Sequence, residues 1–501
     1  MSDLPATWAL TKLSEVAEVH DDLREPVNAK ERARRAGPYP YYGATGQVGW
    51  IDAYRQDGEY VLLGEDGAPF LDPAKPKAYL VSGKAWVNNH AHVLSGLDGI
   101  CHNRFLLHAL NHADYRGYAN GTTRLKLTQG AMLELPVRLA PISEQKRVVD
   151  KLEELLSDLD AGVAALGRAG ANLKRYHAAV LKAAVDGRLT EKWRAAHPEI
   201  EPAERLLERI LAERRKKWEE SQFAKYAEKG QAPPKGWKDE YPEPLKPDVS
   251  ALPPLPQRWC WSSTDELFGY VTSGSRGWAK YCGSEGDIFL GMGNLDHDTV
   301  TLDLLDFRKV MPPDGAEGQR TRVETNDILI SITADVGMIG LAPQGLGTAY
   351  INQHLALARS VLPEIARYVA WNLVSRDGQR RLKGLQRGAT KVGLGLDDVR
   401  SVAIPLAPLQ EQAQLVSHLD AAASIVAHTN HELGRLKVKS ARLRQSALSY
   451  AFEGRLVPQD PRDEPASELL ARSKAEREEE RVKRLIGKAK DLIKTRKKIR
   501  T

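Results

Sequence analysis

The strongest constraint on this 501-residue chain is that much of it is written twice. From Asn120 the sequence runs N-G-T-T-R-L, reaches Pro141-Ile142-Ser143-Glu144-Gln145, and continues unbroken to Gly187-Arg188-Leu189. From Arg387 it runs R-G-A-T-K-V, then Pro408-Leu409-Gln410-Glu411-Gln412, then Gly454-Arg455-Leu456. Gly121 and Gly388, Glu144 and Glu411, and Gly187 and Gly454 are each 267 residues apart. A register held across three blocks is an internal duplication, and it fixes the architecture before any fold is considered.

Between the anchors, apolar or small residues alternate at steps of four and three. The first copy reads Val148, Leu152, Leu155, Leu159, Gly162, Leu166, Ala169, Leu173, Tyr176, Val180; the second reads Leu415, Leu419, Ala422, Val426, Thr429, Leu433, Leu436, Ser440, Leu443, Ala447. This is a coiled-coil seam. A single stripe could equally be one face of a helix buried in its own domain. Two matched stripes point to an intramolecular antiparallel pair, with Ser143 as an N-cap and Gly187 and Gly454 as terminators. Forty helical residues at about 1.5 Å each make a spacer of roughly 60 Å.

A chain this long should form two or more domains. No apolar run approaches a membrane span, and Met1-Ser2-Asp3-Leu4-Pro5 does not read as a signal peptide, so a cytoplasmic location is expected. Cys101, Cys260 and Cys282 show no Cys-x-x-Cys spacing, against a disulfide framework or a zinc module. The net charge of +6 is compatible with a polyanionic partner without requiring one.

Read in order, residues 1–142 form a mixed α/β domain, with strands around Tyr60–Leu63 and Tyr79–Val81 and turns at Asp57-Gly58, Asp66-Gly67 and Asp98-Gly99. Residues 143–230 are a helical region, with a second charged helix from Glu201 to about Tyr226. Residues 231–254 are a Pro-rich, extended crossover. Residues 255–409 restart the pattern: Leu255-Pro256-x-x-Trp259 echoes Leu4-Pro5-x-x-Trp8, and Ile351-Asn352-Gln353-His354 echoes Val87-Asn88-Asn89-His90. Residues 410–501 hold the second helical region and a basic end, with ten Lys or Arg between Arg481 and Arg500. That end is either a nucleic-acid patch or a solvated helix terminus. Diverged heads on similar helices imply different targets for the heads and one shared partner for the helices.

Catalytic signatures are missing. Ser82-Gly83-Lys84-Ala85 is no Walker A loop, and no Asn- or Asp-Pro-Pro-aromatic tetrapeptide or carboxylate-lysine nuclease array is present. His90, His92, His102, His108 and His112 fit no standard metal spacing. The chain is expected to be non-catalytic and to hold no cofactor or metal.

This combination resembles the specificity subunits of type I restriction-modification systems. The resemblance rests on the duplicated G-[TA]-T-[RK] and P-[IL]-x-E-Q segments, the paired heptad helices closing in G-R-L, the crossover with Trp237 and Tyr241-Pro242-Glu243-Pro244, and the Leu-Pro-x-x-Trp opening each half. It implies two globular α/β target recognition domains separated by long antiparallel helices, with a pseudo-two-fold internal repeat. It also implies a bipartite, asymmetric double-stranded DNA site, two methyltransferase subunits and motor-nuclease subunits as partners, and S-adenosylmethionine, ATP and magnesium carried by those partners. A coiled-coil scaffold binding proteins, or a stand-alone DNA-binding protein, is the alternative.

A DNA reader needs Arg, Lys, amide and hydroxyl side chains on loops. In the first domain these are Tyr41, Tyr42, Thr45, Lys84, Asn88, Asn89, His90, Arg104, Thr123 and Arg124. In the second they are Ser273, Ser275, Arg276, Trp278, Lys280, Tyr281, Arg320, Arg322, Asn352, Gln353, Arg387, Thr390 and Lys391. The Gly-Thr-Thr and Gly-Ala-Thr segments recur in both halves, so they are turn residues or phosphate contacts and cannot distinguish targets.

Overall fold

The computed structural model describes residues 4–313, 315–386, 393–479 and 482. Arg387, Thr390, Lys391 and all of the basic end but Val482 lie outside the described residues. The chain divides into two compact units: residues 1–168 with 433–501, and residues 169–432. The division cuts both long helices, Ile142–Val185 and Leu409–Phe452, so each contributes one end to each unit.

In the first unit a six-stranded sheet runs in the order Ala17–Val19, Ala91–Gly96, Gln56–Gly64, Ala78–Val87, Tyr39–Gly43, Gly46–Ile51. Alternation sorts its side chains: Val61, Leu63 and Leu94 face the core with Phe105, Leu106 and Leu110 of the helix Asn103–His112, while Leu62, Val81 and Val93 form a smaller cluster of their own. The expected turn at Asp57-Gly58 is instead inside a strand, paired with Lys84 and Gly83. Glycine there tolerates a φ of +155° while the ladder continues through it.

The second unit carries two four-stranded sheets. One orders Phe268–Ser273, Leu355–Ser360, Ile328–Ser331 and Ile339–Leu341; the other orders Cys282–Gly283, Arg308–Val310, Asp287–Leu290 and Ala349–Ile351. The helix Ala366–Val374 is buried almost all round, with Trp371 at its centre.

Each unit repeats one joint. A two-stranded sheet pairs Ala9–Lys12 with Pro136–Leu139 in the first, and Cys260–Ser263 with Ala403–Leu406 in the second. The indole of Trp8 donates to Glu144 at 3.0 Å, and that of Trp259 to Glu411 at 3.0 Å. The neighbouring glutamines close the joint on backbone: Gln145 Nε2 donates to the carbonyls of Ile100 and Ala140, and Gln412 Nε2 to Ala407. The duplicated P-x-x-E-Q and L-P-x-x-W segments are therefore the two sides of one clamp. Gly187 and Gly454, at φ +66° and +68°, end the helices, with Arg188 N on Ala183 O and Arg455 N on Tyr450 O as in a Schellman close.

Two details of the helices differ from the sequence reading. Ser143 is not a cap, because the helix already begins at Ile142. The seam is also uneven. Val148, Leu152, Leu415 and Leu419 are buried, Leu155, Leu159, Leu166, Leu173, Val180, Val426 and Leu433 are half-buried, and Leu436 and Leu443 are 45% and 48% exposed. Burial is concentrated at the helix ends, where each head closes over them, and there Leu181, Ala184, Leu448, Ala451 and Phe452 join the cores. A straight helix also drifts about 20° per heptad from a 3.5-residue stripe.

Candidate nucleic-acid interface

In the first unit three loops converge on Gly64–Gly67. The turn carrying Thr45 lies against Gly64, Glu65 N donates to the carbonyl of His90, and Gly67 N donates to that of Leu125. Within the Asn88–His90 turn, Asn88 Oδ1 accepts from His90 N at 2.8 Å. Asp66 then gathers His90 Nδ1 at 2.9 Å and Arg124 at 2.9 Å. Beneath them, Glu65 pairs with Arg24 at 2.6 Å and Lys126 at 3.0 Å, and the buried His92 imidazole contacts Asp21 at 2.7 Å. Burial alone would raise the Asp21 and Glu65 carboxyls; the hydrogen bonds from His92 and Val93, and from Arg24 and Lys126, hold them below their usual values. Thr45, Asn89, Thr123 and Arg124 are exposed on this rigid base.

The second unit repeats the turn. Asn352 Oδ1 accepts from His354 N at 3.0 Å, and His354 Nδ1 lies 2.6 Å from the hydroxyl of Thr333, which is 267 residues after Asp66. Gly274 is pressed against this turn: a Cβ there would lie 1.9 Å from the Asn352 carbonyl oxygen. Ser275, Trp278, Asn352, Gln353 and His354 line a cleft of about 880 Å³, which also includes Arg308. Arg276 and Lys280 stand exposed on the adjoining loop, and Lys280 sits 4.9 Å from the Tyr281 ring centre.

Several candidates turn out to hold the fold. Tyr41 is 1% exposed, its hydroxyl tied to the backbone of Val27, and Asn88 is buried against Tyr42. Trp278 is 2% exposed and packs on Phe289 and Tyr350; Ser275 is buried against Thr321. Arg104 is paired with Glu153 of the first long helix at 2.7 Å, away from the converging loops. Arg320 donates to the carbonyl of Ser273. Ser273 and Tyr42 are half-buried, and Arg322 is exposed at a separate cleft with Val323 and Pro343. Lys84 lies beside the 40%-exposed Tyr54, 4.4 Å from its ring centre, and a hydrogen bond to Tyr54 raises the Lys84 ammonium above its ordinary value. Tyr54, Trp50 and Arg308 are further exposed side chains on these faces that the sequence does not single out. Nothing in the sequence marks their exposure.

Among the described residues, no cluster of three His, Cys, Asp or Glu side chains could hold a metal, and no helix is long and apolar enough to cross a membrane. Each unit therefore carries a polar loop face on a head that is clamped to one end of each long helix. Residues 5–165 match the type I restriction modification DNA specificity domain. A provisionally named type I restriction enzyme specificity subunit of Haemophilus influenzae, S.HindORF215P, is 36% identical over 28% of this chain and 36% of its own length. The EcoBI specificity subunit of Escherichia coli is 26% identical over 75% of this chain and 72% of its own. The chain thus spans about a third of the first relative and nearly three quarters of the second. A solved structure, from work on complex assembly and conformational transition of the type I R-M system, covers 90% of this chain and 99% of its own. Its TM-score is 0.59 at 16% identity, a likeness of fold. The chain is similar to type I restriction enzyme specificity subunits over three quarters of its length, and within residues 5–165 it matches their DNA specificity domain.

Proposed function

We propose that this chain is the DNA sequence-recognition subunit of a type I restriction-modification complex. It reads a bipartite, asymmetric site, one half with each head, and directs adenine methylation and restriction by partner subunits. The observation that carries this is the repeated clamp: Trp8–Glu144 and Trp259–Glu411 hold heads of different surface on equivalent helix ends. Such an arrangement keeps two specificities in one chain. The partners are methyltransferase subunits on the long helices and motor-nuclease subunits beyond them, and they bring S-adenosylmethionine, ATP and magnesium.

Sequencing of methylated adenine in the source cell, with and without the gene, tests the reading. A split motif that vanishes on deletion supports it; an unchanged methylome overturns it. Arg276 then supplies a finer prediction, because its guanidinium is exposed and makes no bond among the described residues. Arg276→Ala should weaken binding to one half-site by about 1–3 kcal/mol while leaving assembly intact. Equal weakening on random duplex would make Arg276 a phosphate contact.

A further inference from the structure

Lys77 is an uncompensated cation in the first unit. It is 3% exposed, and its backbone is fixed by Asn111 and Gly64, yet its ammonium makes no ion pair or hydrogen bond among the described residues. The nearby carboxylates are engaged elsewhere: Asp72 with Lys75 at 3.2 Å, and Asp114 with Arg116 at 2.6 Å. Burial pushes the Lys77 ammonium below its ordinary value, opposed only by Asp72. A buried charge without a partner is costly, and proteins ordinarily pair it.

Lys77 lines a cleft of about 460 Å³, with Leu71, His112 and the paired Asp114 and Arg116 on the head and Gln445, Leu448 and Ser449 on the second long helix. His112 lies flat on Phe452, 5.4 Å between ring centres, and burial, reinforced by Arg138, keeps its imidazole below the ordinary value. Leu71, at the same cleft, is 58% exposed. The second unit has a cleft at the matching repeat positions, Ala178 and Leu181, where acids and cations occur together: Asp296, Asp298 and Asp420 with Lys174, Arg367, Arg376 and Lys383, Arg367 paired with Asp420 at 2.8 Å. What sets the first cleft apart is that its buried cation, Lys77, has no carboxylate bonded to it among the described residues.

We infer that the Lys77 cleft is a docking site for an acidic segment of a partner protein, taking one carboxylate against Lys77 and one aliphatic side chain against Leu71. The exposed leucine beside the cation favours a peptide over a DNA backbone, which offers charge without an aliphatic group. This goes beyond the DNA-reading role and does not depend on it.

The test uses the full chain with its lysines ¹³C-dimethylated, so that Lys77 is identified as the methyl resonance missing from K77M. Titration with N-acetyl-leucyl-glutamate amide should move that resonance saturably, and the glutamine analogue should not. K77R should keep a peptide-induced rise in melting temperature, and K77M should lose it while melting higher than wild type without peptide. An unmoved resonance overturns the inference, as does a K77M that melts lower, which would mean that the ammonium already has its partner within the chain. A shift produced equally by random duplex DNA overturns it in favour of a phosphate contact.

Discussion

Glu411→Ala should destabilise the second unit by about 3–5 kcal/mol, the cost of stripping one partner from a buried ion pair. Glu411 is fully buried and receives three donors: Thr190 Oγ1 at 2.6 Å, Arg194 at 2.6 Å and Trp259 Nε1 at 3.0 Å. Its loss leaves the Arg194 guanidinium, itself largely buried, without a counter-charge. The duplicated Glu144 has the same place in the repeat but a weaker setting. Its donors are the neutral Trp8 and Gln459, one oxygen has no partner, and the adjacent Arg147 is committed to Asp463 at 2.6 Å. Glu144→Ala should therefore cost less, about 1–3 kcal/mol. Glu144 also carries a pH dependence of its own. Burial raises the Glu144 carboxyl, partly offset by Trp8 and Gln459, so the folded state holds that proton more tightly than the unfolded one. Its share of stability is present at acid pH and falls away as pH rises through the folded value, above about 4.5. Hydrogen exchange followed separately in the two units, at pH 5 and pH 7, checks both statements. Equal losses for the two alanine variants would show that Arg194 contributes nothing to the clamp.

What the sequence disclosed was the part that structure had to repeat. Trp8, Glu144 and Gly454 meet in one unit, and Trp259, Glu411 and Gly187 meet in the other, so the same contacts recur at one spacing that is visible without coordinates. The heads have diverged, and there only local pattern remained. Tyr41 and Trp278, in glycine-rich segments, look like stacking platforms for a nucleic acid, but both are in hydrophobic cores. Which face of a strand or loop a ring takes depends on strands distant in sequence. Arg104 and Arg124 look like free cations until Glu153 and Asp66 are brought to them by the fold. The seam was legible as a stripe, while the exposure of Leu436 and Leu443 was not, because heptad spacing does not say how far along a helix its neighbours extend.

Gly454→Val and Gly187→Val should each cost about 2–5 kcal/mol, from a left-handed backbone that disfavours a Cβ and from overpacking at the clamp. At Gly454 a Cβ would lie 2.3 Å from Pro5 Cγ and 3.3 Å from Trp8; at Gly187, 2.6 Å from Pro256 Cγ and 3.2 Å from Trp259. Proline cannot rotate away, so relief must come from moving the start of the head. The Leu-Pro-x-x-Trp segment of each head would then shift off its glutamate. Under the proposed DNA-reading role the damage is selective: G454V should impair reading by the first head, whose opening segment holds Pro5, and G187V reading by the second, opened by Pro256. Thermal unfolding reports the loss of stability, and the methylated motif reports which half-site is relaxed. Two variants that relax the same half-site would contradict the pairing of each glycine with one head. Unchanged melting would mean that the helix end yields more easily than the proline contact implies. A matched loss of stability with opposite half-sites affected would place the repeated Gly-Arg-Leu in the attachment of the heads and leave discrimination between bases to the unrepeated loops.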